Sequence, residues 1–430
     1  MMGAMGLRSF LHNDRHIQRN SFVWNAVASG LFALQAMVML LVTQLSVGTD
    51  DAGVFAIGLA VAILMGCIGT FGVAPFQASD VKGRFSFFEY VGARLVSVGA
   101  MWVVIAIFLV IKAGFGDYDA HKTIIVVLMS SLKTIDVIEG VVASNFQARG
   151  RLDIGGRGNS MRTVTNLVVF SSVILATRSL MWALIITVLV TLASFVVIAH
   201  TQLKGQLSTK DRRFAKKNIG ALLGACTPMF MAWFLNVYAN NAPKYFIDAT
   251  LDNTSQAHFG FLSMPTFVVS LAASFMFNPF IRQFSILWLD GKRRQLALNV
   301  LKLAGVILCL GVLAMGAGYL VGIPVLSFLY QTDLTGYLAE LMILLLAGTF
   351  VALSGFFYAI LTIIRKQAIL ALGYGVVCGS AVLIGTTVVA THELLGAAWM
   401  YAAMTASLAL IFGVATAIGL WKAKVRAVES

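Results

Sequence analysis

The sequence predicts an all-α, multi-pass membrane protein of about twelve transmembrane helices in two six-helix lobes, with both termini in the cytoplasm. Three observations carry that expectation. Of 430 residues 59% are apolar and only 11% charged, where a soluble domain has about a quarter of its residues charged. The mean hydropathy of +0.88 holds over the whole length, so the apolar stretches must sit in lipid or against one another. Finally, the positive charges cluster at alternate breaks between apolar runs.

A helix needs about 20 apolar residues to cross the hydrocarbon core. Runs of about that length cover residues 21–46, 53–75, 87–112, 120–147, 159–177, 179–202, 218–240, 257–282, 295–320, 333–361, 366–391 and 394–420. The first run follows Arg15 and Arg19 as a signal peptide would. It exceeds the roughly 7 to 15 residues of a cleavable apolar segment and is read as a span. The shortest break is at Arg178.

Orientation follows from the basic residues. Lys112, Lys122, Arg178 and Lys244 lie on one set of alternate loops, and Arg94, Lys133 and Lys302 lie within spans. The rest of the 31 Lys and Arg, Arg157 and Arg162 included, fall on the other set, which is therefore cytoplasmic. The net charge of +13 would suggest nucleic acid for a soluble chain. Here cytoplasmic retention and attraction to anionic lipid headgroups account for it, and no nucleic-acid partner is expected.

The longest polar break, Leu203 to Lys217, lies near the middle. It gives an N-terminal six-helix lobe over residues 1–205, a basic cytoplasmic linker over 206–217 and a C-terminal six-helix lobe over 218–430. Six is even, so both halves enter the membrane in the same sense, as in transporters built from parallel repeats. Phe55 after the first span and Phe259 after the seventh sit in similar short strings, a faint echo of such a repeat.

Cys67, Cys226, Cys309 and Cys378 all fall in apolar runs without a C-x-x-C pair and read as small core residues. The H-E-x-x-H, Walker and G-x-S-x-G patterns do not occur, so neither an enzyme nor a metal or other cofactor is expected. The longest outer loop is expected at about Asn241 to Gln256. The lack of a large outer loop counts against a membrane glycan polymerase or ligase.

Ionisable groups inside a span cost about 2.5 to 3.5 kcal/mol each on insertion scales, so they face a cavity or a partner. In the fourth span Lys133, Asp136 and Glu139 recur every three residues on one helical face. They read either as a self-neutralising ion pair or as the polar wall of a translocation path. Arg94, about two turns into the third span, either snorkels to the interface or binds an anion. Glu340 is a candidate for protonation-coupled movement or an interfacial residue. Asn236 and Asn240 make one face of the seventh span polar, either lining a pathway or bonding another helix. Asn25 polarises the first span, and Pro228, Pro265 and Pro279 give the seventh and eighth room to bend.

Several short strings, in order over both halves, carry a family likeness. They are Phe76-Gln-Ala-Ser-Asp80-Val, Phe85-Ser-Phe-Phe-Glu89-Tyr followed by Arg94, Gly150-Arg-Leu-Asp153-Ile-Gly-Gly-Arg157 followed by Arg162, Asn241-Ala-Pro-Lys244-Tyr-Phe-Ile-Asp248, and Phe261-Leu-Ser-Met-Pro265. Together they resemble the polysaccharide repeat-unit flippases of the multidrug/oligosaccharidyl-lipid/polysaccharide (MOP) exporter superfamily. Gly155, Arg157 and Phe246 depart from that pattern.

The resemblance implies two six-helix lobes around a central cavity that opens alternately to each side. It also implies movement of a polyprenyl-pyrophosphate-linked oligosaccharide to the outer leaflet, with other polysaccharide-assembly proteins as partners. Arg94 and Lys133 would hold the pyrophosphate with help from Asn25 and Asn236, and Lys244 would receive it near the outer side. Asp136, Glu139 and Glu340 would be ion-pair or coupling groups for H⁺ or Na⁺. A drug or organic-cation exporter of the same superfamily, using those carboxylates for its cargo, is the nearest alternative.

Overall fold

The computed structural model describes residues 8–11, 16–80, 83–207 and 214–426, with side chains described to Trp421. The structure is helical, with no strand among the described residues. It divides into two compact units, Met1–Phe234 and Leu235–Ser430.

The first unit comprises α1 (Ile17–Val47), α2 (Thr49–Thr70), the short α3 (Val73–Ser79), α4 (Phe87–Gly114), α5 (Ala120–Ala148), α6 (Leu152–Thr177), α7 (Leu180–Leu203) and the first part of α8 (Lys216–Thr250). The second takes the rest of α8, then α9 (Asn253–Phe277), α10 (Ile281–Leu289), α11 (Arg293–Ala317), α12 (Ile323–Tyr330), α13 (Leu338–Ile363) and α14 (Gln367–Arg426). A non-helical Glu393, at φ +50°, divides α14 into two spans.

Ten helical segments are long and apolar enough to cross a membrane, the whole of α14 counting as one of them. The break at Glu393 and the charge-bearing α5 bring the crossings to the expected twelve among the described residues. An even number leaves both termini on one side, and the charge asymmetry makes that side cytoplasmic. Arg15, Lys82 and residues 208–213 of the expected linker lie outside the described residues.

The division between units falls inside α8. Leu222 and Cys226 in its first half are fully buried against Val73, Phe87, Tyr90, Ala93 and Val141 of the first unit. Beyond residue 234, the Cys378 thiol meets the Leu235 carbonyl, and the Phe246 ring lies over Gly385.

Two local readings need correction. The loop expected over Asn241–Gln256 is helical up to Thr250, leaving a turn at residues 251–252. Polar side chains there fold back onto the preceding turn: Asn240 donates to the Asn236 carbonyl at 2.8 Å and Asn241 to the Val237 carbonyl at 3.1 Å. Such back-bonding hides polar groups within the helix itself. The fifth span starts at Leu152 rather than at 159, so Arg157 is a helical residue and Arg162 lies well inside the helix.

Helix ends follow chemistry that is visible in the chain. Ser86 and Glu89 form a reciprocal capping box, and the Glu89 carboxylate also accepts from Asn218 Nδ2 at 2.7 Å. Asp119 caps α5 by accepting from Lys122 N at 2.8 Å, and Asp252 caps α9 by accepting from Ser255 N at 2.9 Å. The Asp80 carboxylate takes Arg84 N, Phe85 N and the Tyr90 hydroxyl at 3.1, 3.3 and 2.8 Å, which fixes the entry to α4.

Lipid supplies no hydrophobic drive between helices, so packing depends on small residues that let backbones approach. A Cβ at Gly156 would stand 2.8 Å from the Trp24 carbonyl carbon of α1, and one at Gly348 3.0 Å from the Thr266 Cα of α9. Backbone cannot yield as a side chain can. Gly156→Ala is expected to cost about 1–3 kcal/mol through separation of α1 from α6. The lowered thermal midpoint of the purified protein in detergent checks this.

Candidate functional site

The polar face of α5 forms the centre of an ionic network in which Glu139 and Arg162 are buried and Lys133 and Asp136 half-buried. Lys133 Nζ lies 3.3 Å from Asp136 Oδ2. Arg162, projecting from α6, places Nη1 2.5 Å from Asp136 Oδ1, donates from Nε to Glu139 Oε2, and donates from Nη2 to Asn159 Oδ1 at 3.1 Å. Arg162 is 2% exposed and Glu139 7%. Two cations and two carboxylates thus cancel. One planar guanidinium reaches two acids on successive turns of α5, a geometry that a lysine ammonium could not reproduce.

This corrects the reading of Arg162 as a cytoplasmic charge. It lies ten residues into α6, about 15 Å along the helix axis. A signal for it was present in the sequence: Asp136 and Glu139 carry two negative charges against one Lys133, and a buried charge requires a partner.

Lys133 and Arg94 both approach the C-terminal end of α2. The aliphatic stem of Lys133 lies against Gly66, where a Cβ would be 2.8 Å from its Cγ, and Nζ stands 5.0 Å from the Phe32 ring centre. One turn further along α2, Arg94 Nη1 donates to the Gly69 carbonyl at 2.9 Å, and Ser97 Oγ donates to the same oxygen at 2.6 Å. Carbonyls at a helix C-terminus carry partial negative charge, which suits the guanidinium. Arg94 is 1% exposed, so it does not snorkel. Its Nε and Nη2 have no hydrogen-bond partner. It is therefore an enclosed cation with two donors left over.

In the second unit Asn236 donates to the Tyr374 hydroxyl, joining α8 to the first part of α14. Lys244 is half-buried on α8, with no hydrogen bond or ion pair among the described residues. Glu340 occupies the first turn of α13, where the helix dipole favours a carboxylate, and its Oε2 is buried without a partner. Asn25 is exposed on α1. Of the residues singled out from sequence, Lys133, Asp136 and Glu139 are brought together and Asn236 gains Tyr374. Asn25, Lys244 and Glu340 join neither group.

Among the described residues no group of three or more His, Cys, Asp or Glu could hold a metal ion. Cys67, Cys226 and Cys378 are buried as expected of core residues, whereas Cys309 is exposed.

An inward-facing multidrug resistance MATE family transporter of the MOP superfamily matches over 91% of this chain and 95% of its own, with a TM-score of 0.69 and 12% identity. The chain has the fold of the MOP superfamily transporters. The Vibrio cholerae MATE transporter VcmN in its bent form matches over 99% of both chains, with a TM-score of 0.60 and 12% identity. A MOP superfamily transporter from Pyrococcus furiosus, for which reverse polarity of the binding pocket suggests a different function, matches over 97% of this chain and 98% of its own, with a TM-score of 0.56 and 11% identity. No family model and no curated protein matches the sequence.

Proposed function

We propose that the protein is a MOP-type secondary transporter with an anionic cargo. In this reading it is a flippase that carries a polyprenyl-pyrophosphate-linked oligosaccharide to the outer leaflet by alternating access, for cell-surface polysaccharide assembly. The observation that carries the proposal is the balance of buried charge. Both in-span carboxylates of the first unit are engaged by Arg162 and Lys133, while Arg94 keeps two donors without a partner. Lys244 of the second unit likewise has no counter-ion among the described residues. A diphosphate offers several charged acceptor oxygens to such donors, and guanidinium is the side chain best matched to them. In the first unit an organic cation would have to draw a carboxylate away from Arg162 first, whereas Glu340 of the second unit keeps one carboxylate oxygen without a partner.

A second reading is an H⁺- or Na⁺-coupled multidrug exporter, and the names of the solved structures with this fold favour it. Asp136, Glu139 and Glu340 would then be the coupling or cargo groups. The Pyrococcus furiosus relative in fold supports the idea that one scaffold serves pockets of either sign. That these solved structures are transporters also supports transport over glycan polymerisation or ligation.

Proteoliposomes distinguish the readings. The proposal expects protein-dependent flipping of a fluorescent polyprenyl-pyrophosphate oligosaccharide and no ion-driven efflux of an organic cation. The converse pair of results moves the assignment to the exporter.

A further inference from the structure

A crevice of about 470 Å³ opens in the second unit between α11, α13 and the last part of α14. Its walls are apolar, with Ala297, Leu301, Phe357 and Leu420 among them, and Ala417 and Gly413 leave the space that larger side chains would fill. Its cytoplasmic end carries Arg293, Arg294 and Trp421.

Three features at that end call for an anion. First, α11 begins with Arg293 and Arg294, and its first turn contains no acid and no side-chain cap, so cations crowd the positive end of the helix dipole. Second, the Arg293 guanidinium is stacked on Trp288, 3.5 Å from the ring centre, and its Nε and Nη1 are buried without a hydrogen-bond partner. The neighbouring acid, Asp290, is engaged by Lys292 at 3.2 Å. Third, Thr416, which lines the crevice, is 2% exposed and its hydroxyl has no partner. A threonine in a helix ordinarily bonds the carbonyl one turn back, as Thr405 does to Tyr401 at 2.8 Å.

We propose that this crevice binds one anionic phospholipid of the cytoplasmic leaflet. The phosphate sits on Arg293 and Arg294 at the positive end of the α11 dipole, an acyl chain fills the apolar crevice, and Thr416 donates to the ester region. A chain-bearing phosphate fits where a free phosphate does not, because the cationic end and the apolar groove are continuous. The site is independent of what the transporter carries.

The test is native mass spectrometry of the purified full-length protein in detergent with equal amounts of phosphatidylglycerol and phosphatidylethanolamine. The wild type is expected to retain one phosphatidylglycerol with a preference on the order of tenfold, two arginines each favouring an anionic headgroup. Arg293→Gln/Arg294→Gln is expected to bring the two lipids to near-equal retention. Ala417→Phe, which fills the crevice from an exposed position and keeps both arginines, is expected to lose the bound lipid and the rise in thermal midpoint that phosphatidylglycerol gives the wild type. Equal retention of both lipids by the wild type would overturn the proposal, as would an unchanged preference in both variants. Displacement of the lipid by millimolar inorganic phosphate would reduce the site to a phosphate site.

Discussion

Replacing Arg162 by methionine is expected to destabilise the first unit more than any other single substitution on α5 or α6. The change leaves Glu139 as a buried charge without a counter-ion and the half-buried Asp136 with only Lys133. Breaking a buried ion pair from one side costs about 3–5 kcal/mol, which corresponds to a fall in thermal midpoint on the order of 10 °C. Arg162→Lys should fall between, since one ammonium cannot serve both carboxylates. Combining Arg162→Met with Glu139→Gln should restore most of the loss, because Lys133 and Asp136 then cancel each other and no unpaired charge is left. Thermal unfolding of the purified variants in detergent checks the series. If Arg162→Met melts with the wild type, the network does not hold α6 to α5.

Arg94→Ala is expected to do the opposite: preserve the fold and abolish most transport. The side chain gives the protein one hydrogen bond, to the Gly69 carbonyl, which Ser97 also serves. Its remaining donors, Nε and Nη2, have no partner and are enclosed in this conformation, so a cargo would meet them only as alternating access opens the first unit. A hydrogen bond between charged groups contributes about 1.5–3 kcal/mol, so flipping of a pyrophosphate-linked lipid should fall roughly 10- to 100-fold. Lys133→Ala should also reduce flipping, but by less, since its ammonium already has Asp136. Lys216→Ala, at the first residue of α8, should be nearly silent. Initial rates in proteoliposomes at matched protein content measure all three. Wild-type rates for Arg94→Ala would remove it from the cargo path.

The fold was legible because membrane insertion depends on run length and charge placement, both of which are properties of sequence. The boundaries that moved share a cause. Around Asn241 and Thr250 the polar side chains satisfy themselves within α8, so composition suggested a loop where the helix continues. Leu152 to Asn159 also reads as polar, yet it is helical, with Asp153 buried under Arg151 at 3.0 Å and Arg157 held by the Phe10 carbonyl at 2.6 Å. The site was legible only in part. Spacing along one helix reveals Lys133, Asp136 and Glu139, but the partner that settles their charge comes from another helix. The strings that carry the family likeness include Asp80, Glu89 and Asp153, whose carboxylates are used in turns, caps and local pairs. Such residues report a shared architecture and say little about cargo, in keeping with a likeness to solved structures that is one of fold.

The central claim is the sign of the cargo, and its most direct test is flipping under an imposed membrane potential. One elementary charge moved through 100 mV gains or loses about 2.3 kcal/mol. In proteoliposomes with the cytoplasmic face inside, an inside-negative potential should accelerate outward movement of a labelled polyprenyl-pyrophosphate oligosaccharide. Reversing the potential should slow it, and Arg94→Ala should remove the protein-dependent part under both signs. No movement of that lipid under either potential, together with organic-cation efflux driven by a proton or sodium gradient, would contradict the account.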